Sequence, residues 1–294
     1  MCHSIFDMTN LLHKTAKKLN LHIGIITPED YNGHANHSLR EYLGFTKSII
    51  AVAMPITKRD GAIMASFALE RDYHKVMREK MEELVKTLPV KEYKIYVDNG
   101  PMDDRLIAEL AGIGFRGNND LIITPGRGSY QLLGEILVDI DLPVTGKPLK
   151  VTCGMCTKCI DACPTKALPG NVYEKCLVGY MQQKRVYSDD IYACFETIYG
   201  CDICQSVCPF NTKVGTKEQY TYENLKVEDI LSATKESFDE FKDTAFHWLG
   251  LERMQRNAIV YAANKSINVA HLLPTGHLPE YLQASIDYYH RRRA

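Results

Sequence analysis

The chain lacks a dominant charge. Its 35 Lys and Arg stand against 36 Asp and Glu, for a formal net charge of -1. That balance excludes the strong general attraction to nucleic acid or anionic membrane that a basic protein has. Long apolar runs are also missing. The longest, about Ile49 to Ile56, falls far short of the ~20 residues that span a bilayer. The opening "MCHSIFDMTNLLHK" has no basic start, apolar stretch and small-residue cleavage site, so no secretory signal is expected. No repeat and no low-complexity segment interrupts the sequence. The expected location is the cytoplasm, away from membranes. Clustered cysteines in that compartment are metal ligands or catalytic groups more often than disulfides. Hydrophobic content of 45% and charged content of 24% are ordinary for a globular protein. At 294 residues the chain exceeds one average domain of ~100–200 residues, which predicts two or three units.

Cysteine, by contrast, is concentrated. Four of the ten fall within "CGMCTKCIDACP", as Cys153-x2-Cys156-x2-Cys159-x3-Cys163-Pro164. This is the bacterial ferredoxin run for [4Fe–4S] clusters, whose fourth cysteine ligates the other cluster in two-cluster ferredoxins. A second motif answers it. "CDICQSVCP" gives Cys201-x2-Cys204-x3-Cys208-Pro209. Crossing the two fourth cysteines assigns Cys153, Cys156, Cys159 and Cys208 to one cluster, and Cys163, Cys201 and Cys204 to the other. Cys176 or Cys194 supplies the missing ligand. Cys176 is favoured because its segment follows the first motif directly, whereas Cys194 sits among apolar and aromatic residues and reads as a packed thiol. Cys2 is then also spare. Structural zinc accounts for C-x2-C pairs but not for the two x3-Cys-Pro endings. Clusters alone only move electrons, and the long segment before Cys153 is where they should be used.

That segment reads as mixed α/β. "SIIAVAMPI" is a buried strand. "SFALERDYHKVMREKMEELVKTLPV" has helical spacing and stops at Pro89. "YKIYVDN" alternates like a strand before the Gly100-Pro101 turn. "DDRLIAELAGIG" starts acidic and ends in glycine, as a short helix does. "LIITPGRGSYQLLGEILVDIDLP" reads as strand, glycine turn and a further apolar segment, and 143–150 reads as a linker. Gly112-Ile-Gly114-Phe-Arg-Gly117 matches a dinucleotide fingerprint in letters, but a helix-like stretch precedes it where the fingerprint needs a strand. Its glycines more naturally end a helix and admit close backbone approach. Asp98 closes an apolar strand at a turn. A turn-forming aspartate is the common role there, while a desolvated carboxyl at a strand end would suit a general acid. Asp103, Asp104 and Arg105 compete for that role but look like a helix start with an internal ion pair.

The order "YVDNGPMDDRLIAELAGIGFRGNNDLIITPGRGSYQLLGEILVDIDLP", "CGMCTKCIDACPTKAL", "YGCDICQSVCPFN" resembles the epoxyqueuosine reductases, cobalamin-dependent iron–sulfur enzymes related to reductive dehalogenases. The likeness runs from about Ser48 to Asn211. It implies an α+β protein with three parts: an α/β cobalamin-binding catalytic domain over 1–148, a ferredoxin-like two-cluster domain over 149–215, and a short helical region over 216–294. It implies reduction of epoxyqueuosine in tRNA to queuosine, with electrons from an external flavodoxin- or ferredoxin-type donor. The family's proton donor falls on Asp98, and its ligand pattern supports Cys176. Its cobalamin contacts fall on Gly112, Gly114, Thr124, Gly128, Ser129 and Tyr130, with Leu133 and Leu137 lining the corrin. Tyr73 and His74 match a family segment, and no catalytic role is assigned to that histidine. Two departures stand out. The family usually carries Lys where this chain has Asn118, within Gly117-Asn118-Asn119. Fuller members also continue into HEAT-like repeats, of which "ERMQRNAIVYAANKS" is the one match here. The tail "HRRRA" offers phosphates only sequence-independent attraction. A related corrinoid reductase acting on another substrate, and a non-catalytic electron carrier, remain as alternatives.

Overall fold

A computed structural model describes residues 5–32, 44–59, 61–170, 173–215 and 221–294; Cys2 lies outside them. The fold is mixed α/β with a helical C-terminal region. The chain forms two compact units that interleave in sequence. One comprises Met1–Ile56, His74–Cys156 and Pro209–Val214, and the other Thr57–Tyr73, Thr157–Cys208 and Gly215–Ala294.

The first unit is built on an antiparallel four-stranded sheet. Its strands are β1 (His22–Ile26), β2 (Ser48–Pro55), β3 (Tyr93–Tyr96) and β6 (Gln131–Val138), in the order β1-β2-β6-β3. Two short strands, β4 (Phe115–Arg116) and β5 (Ile122–Ile123), pair separately. Helices α1 (Ile5–Lys18), α2 (Pro28–Asn32), α3 (Tyr73–Val85, in this unit from His74 on) and α4 (Asp104–Leu110) accompany the sheet. β2 is buried from Ser48 to Met54. That explains why its sequence is continuously apolar rather than alternating: both its faces are covered. Ile49, Ala51 and Ala53 share one face and pack with Ile107, Ala108 and Leu110 of α4. On β6 the cross-strand partners of these three are Leu137, Glu135 and Leu133. A carboxylic acid therefore sits in the middle of the apolar face beneath α4.

The expected strand, helix, strand and short helix appear as β2, α3, β3 and α4. α3 starts only at Tyr73, after a 3-10 turn at Ser66–Ala68. The apolar segment after the glycine turn is the long strand β6. The expected linker has no regular structure yet is pinned: Thr145 N–H donates to the Ile25 carbonyl at 3.3 Å, and Ile25 N–H donates to Thr145 Oγ1 at 3.2 Å. The segment from Gly112 to Gly117 is preceded by α4 and itself contains β4, not the strand–turn–helix order of a dinucleotide-binding turn.

The second unit is helical: α5 (Lys158–Ala162), α6 (Leu177–Gln182), α7 (Asp189–Tyr192), α8 (Ile203–Ser206), α9 (Val227–Leu231), α10 (Lys235–Phe238), α11 (Leu251–Asn264) and α12 (Glu280–Arg293). α11 carries the HEAT-like stretch and is buried from Met254 to Ala263. Arg256, fully buried, points its Nη2 at the carbonyls of Tyr180, Met181 and Gln183 at 2.9–3.1 Å. Its guanidinium lies over the rings of Tyr187 and Phe195 at 5.5 and 5.6 Å. No helix among the described residues is long and apolar enough to cross a membrane.

Candidate active site and cluster motifs

Asp98 lies two residues beyond β3, in the left-handed region at φ 61. Aspartate visits that region more easily than most residues, but at a cost of about 1–2 kcal/mol. The conformation turns the chain out of the sheet. The carboxylate is 64% exposed and lies 3.8 Å from His74 Nε2 at the start of α3. The desolvation expected of Asp98 is therefore absent. It falls instead on two other acids.

Those acids are Asp104 and Glu135. Asp103, not Asp104, caps α4: its Oδ1 accepts from the Arg105 and Leu106 N–H groups, both at 3.0 Å. Burial acts to raise the Asp103 carboxyl, but the Leu106 N–H and the Arg116 guanidinium outweigh it and hold it below the ordinary range. Arg116 reaches Asp103 Oδ2 at 3.1 Å and Asp120 Oδ1 at 3.2 Å. Arg105 is drawn to Asp120, and its contact with Asp103 is 3.9 Å. The expected internal pair at the helix start is thus the weaker of its contacts. Asp104 turns inward. Burial first, then the charge of Asp98, raise its carboxyl to about 6. Burial first, then the charge of Asp104, raise Glu135 well above the ordinary range. Sequence reading passed over Glu135. Its one signal is a lone acid inside "LLGEILV".

Of the eight residues assigned to cobalamin, Gly112 and Leu133 keep some exposed surface, while the other six are buried. Those six hold the chain itself. Thr124 Oγ1 donates to the Ile113 carbonyl at 2.8 Å. Ser129 N–H donates to Asn211 Oδ1 at 2.7 Å, and Asn211 Nδ2 donates to Ser129 Oγ at 2.9 Å. Gly128 is at φ 77, and a Cβ there would stand 2.0 Å from Asn211 Oδ1, so the absent side chain admits Asn211. A Cβ at Gly114 would strike Ile122 and Ile123. Tyr130 and Leu137 are core residues.

The cysteine motifs occupy short helices and turns. Asn118 grips the first: its N–H donates to Cys153 Sγ at 3.4 Å, and its side-chain amide donates to the Cys156 carbonyl at 2.7 Å. The residue that departs from the family lysine thus binds the motif loop. In the helical unit, Cys159 and Cys163 are buried with Ala167 and Leu168, and Ile160, Cys176 and Cys204 pack on them. Burial, with Cys176 and Cys163 nearby, pushes the Cys201 thiol up to about 12. Burial, with Cys201, Cys176 and Cys159 nearby, pushes Cys204 up as well. Cys163 goes the other way: burial is outweighed by backbone N–H donors, chiefly that of Ala167. Buried thiols this close cannot ionise together unless cations join them, which is the chemistry of an iron–thiolate site. Among the described residues no three such side chains converge on one point as a single ion requires; a cubane instead spreads its ligands over separate irons. Asp202 braces the second motif, accepting from Ser66 N–H at 2.8 Å, Ser66 Oγ at 2.7 Å and Gln205 Nε2 at 3.0 Å. Cys194 donates to the Asp190 carbonyl at 3.2 Å and packs against the helical core.

Residues 152–211 match the 4Fe-4S double cluster binding domain family, and residues 37–99 match the epoxyqueuosine reductase QueG family. An epoxyqueuosine reductase of Bacillus cereus is 34% identical over 274 residues, covering 84% of this chain and 71% of the relative. One from Staphylococcus aureus is 36% identical over 245 residues, covering 74% and 64%. A crystal structure of epoxyqueuosine reductase with a tRNA-Tyr epoxyqueuosine-modified stem loop superposes with a TM-score of 0.85 at 27% identity, covering 98% of this chain and 91% of that one. A Bacillus subtilis epoxyqueuosine reductase with its catalytic aspartate loop swung out of the active site gives 0.83 at 27% identity, covering 97% and 90%. This chain belongs to the epoxyqueuosine reductase family and carries its double-cluster [4Fe–4S] domain.

Proposed function

We propose that the protein reduces the epoxide of epoxyqueuosine in tRNA to the alkene of queuosine, using two [4Fe–4S] clusters and cobalamin. The balance is two electrons and two protons taken up, both C–O bonds of the epoxide broken, and water released. Cys153, Cys156, Cys159 and Cys208 hold one cluster. Cys163, Cys176, Cys201 and Cys204 hold the other, and electrons enter from an external flavodoxin- or ferredoxin-type donor in the cytoplasm. Bound cobalamin would supply a strongly reducing centre for the C–O cleavage. Gly112 and Leu133 would touch it, and Thr124, Gly128, Ser129 and Tyr130 would fix the backbone beneath.

The chain's own chemistry centres on Asp98. The oxygen freed from carbon needs a proton, and the Asp98 carboxyl would give it. The observation that carries this reading is the left-handed Asp98 turn just beyond β3, in a chain similar to a Bacillus subtilis epoxyqueuosine reductase whose catalytic aspartate loop is swung out of the active site. The carboxylate is mostly exposed, so substrate would cover it and displace water before the proton is given. His74 beside it would hold the carboxylate between turnovers.

The test is anaerobic reconstitution with iron, sulfide and cobalamin, followed by reduction in the presence of epoxyqueuosine-containing tRNA. Queuosine formation supports the reading. Bound cofactors without turnover would move the substrate elsewhere, and failure to bind cobalamin would leave an electron carrier.

A further inference from the structure

Glu135 is fully buried on the α4 face of β6, between Leu133 and Leu137. Among the described residues no N–H or hydroxyl group reaches either of its oxygens; its polar neighbour is the Asp104 carboxyl. The nearby cations are committed elsewhere, Arg105 to Asp120 and Arg116 to Asp103 and Asp120. The other titratable groups facing the pair are Asp98, Asp103 and Tyr31. Tyr96 stands opposite Glu135 on β3, β2 presents Ala51, and His74 lies against Asp98. With no free cation beside them among the described residues, the buried Glu135 and the half-buried Asp104 cannot both ionise.

We propose that Glu135 and Asp104 share one proton and act as positioning residues for Asp98, their hydrogen bond seating the start of α4, and with it the turn from Asp98 to Asp103, on the sheet. The inference rests on the reading of Asp98 as proton donor. The turn lies directly on the pair: a Cβ at Gly100 would stand 2.8 Å from Glu135 Oε1. A proton between the carboxyls draws helix and strand together. Its loss leaves two like charges in an apolar layer, which lifts the turn. The raised affinity of both acids for protons agrees with this. Because their folded-state values lie above the unfolded ones, the contribution is complete below the ordinary carboxylate range. It is lost as pH rises through about 6 for Asp104, and higher for Glu135.

The test uses the reconstituted protein. Infrared spectra should show an un-ionised carboxyl band at neutral pH, and Tm should decline from about pH 5 to about pH 8. Glu135→Gln should remove the band and flatten the decline. It should also shift the alkaline limb of the kcat profile while leaving KM unchanged. If Glu135→Gln does not fold, Asp104→Asn serves the same comparison. A band and slope that persist in either variant, or that are missing from the wild type, overturn the proposal. Asp98→Asn should keep band and slope. If it also keeps full turnover, the donor reading and the positioning role fall together, whereas loss of the band alone leaves the donor reading intact.

Discussion

At the scale of single residues the site divides by exposure. Asp98 was singled out by the family resemblance, since its own sequence context reads as a turn, and its environment was not legible: the carboxylate is mostly open to solvent, and the acids drawn inward are Asp104, half-buried, and Glu135, fully buried. Asp98→Asn should leave cluster and cobalamin spectra unchanged but lower kcat by ~10²–10⁴-fold, as removal of a general acid does. Single-turnover kinetics on modified tRNA would measure it, and full activity would remove Asp98 from the mechanism. Asp103 has the opposite charge logic to its neighbour. Its folded-state value is depressed, so its contribution is present above the ordinary carboxylate range and lost as pH falls through the lower, folded value. Asp103→Ala removes the cap of α4 and should cost about 0.5–2 kcal/mol at neutral pH, less in acid, by denaturant titration at both pH values.

At the scale of elements, an unbroken apolar run located β2, alternation β3, helical spacing α3, and an acidic start with a glycine end α4. β6 was less plain. Gly134 and Glu135 break its apolar run, and only cross-strand pairing with both β2 and β3 makes it a central strand. α11 is the second case. Its sequence resembles a repeat helix, but the depth of Arg256 cannot be read from spacing. That guanidinium gathers the carbonyls at the end of α6, the helix that begins just after Cys176. Arg256→Met keeps the volume and strands those acceptors in an apolar core. The expected loss is about 2–4 kcal/mol of stability, seen as a lower midpoint in denaturant with m unchanged.

At the scale of the whole molecule, the clusters join chain segments that lie far apart in sequence, so metal should be a folding ligand as well as an electron carrier. Chelating iron from the reconstituted protein should lower Tm. Cys176→Ser should lose the iron of one cluster while Cys194→Ser keeps both, as counted by iron analysis and electron paramagnetic resonance. Equal iron in the two variants would reassign the eighth ligand.

The cysteine spacing alone determined the redox class, because a cubane needs thiolates at short, fixed intervals and leaves those intervals in the chain. Apolar patterning likewise marked β2, α3 and β3, while α1, β1 and most helices of the second unit went unread. Only the tertiary structure decided which acids are buried, which assigned cofactor contacts are spent on internal bonds, and what Asn118 grips. Those properties depend on residues such as 104 and 135, or 118 and 153, meeting across long stretches of chain, and no local pattern records a meeting of that kind.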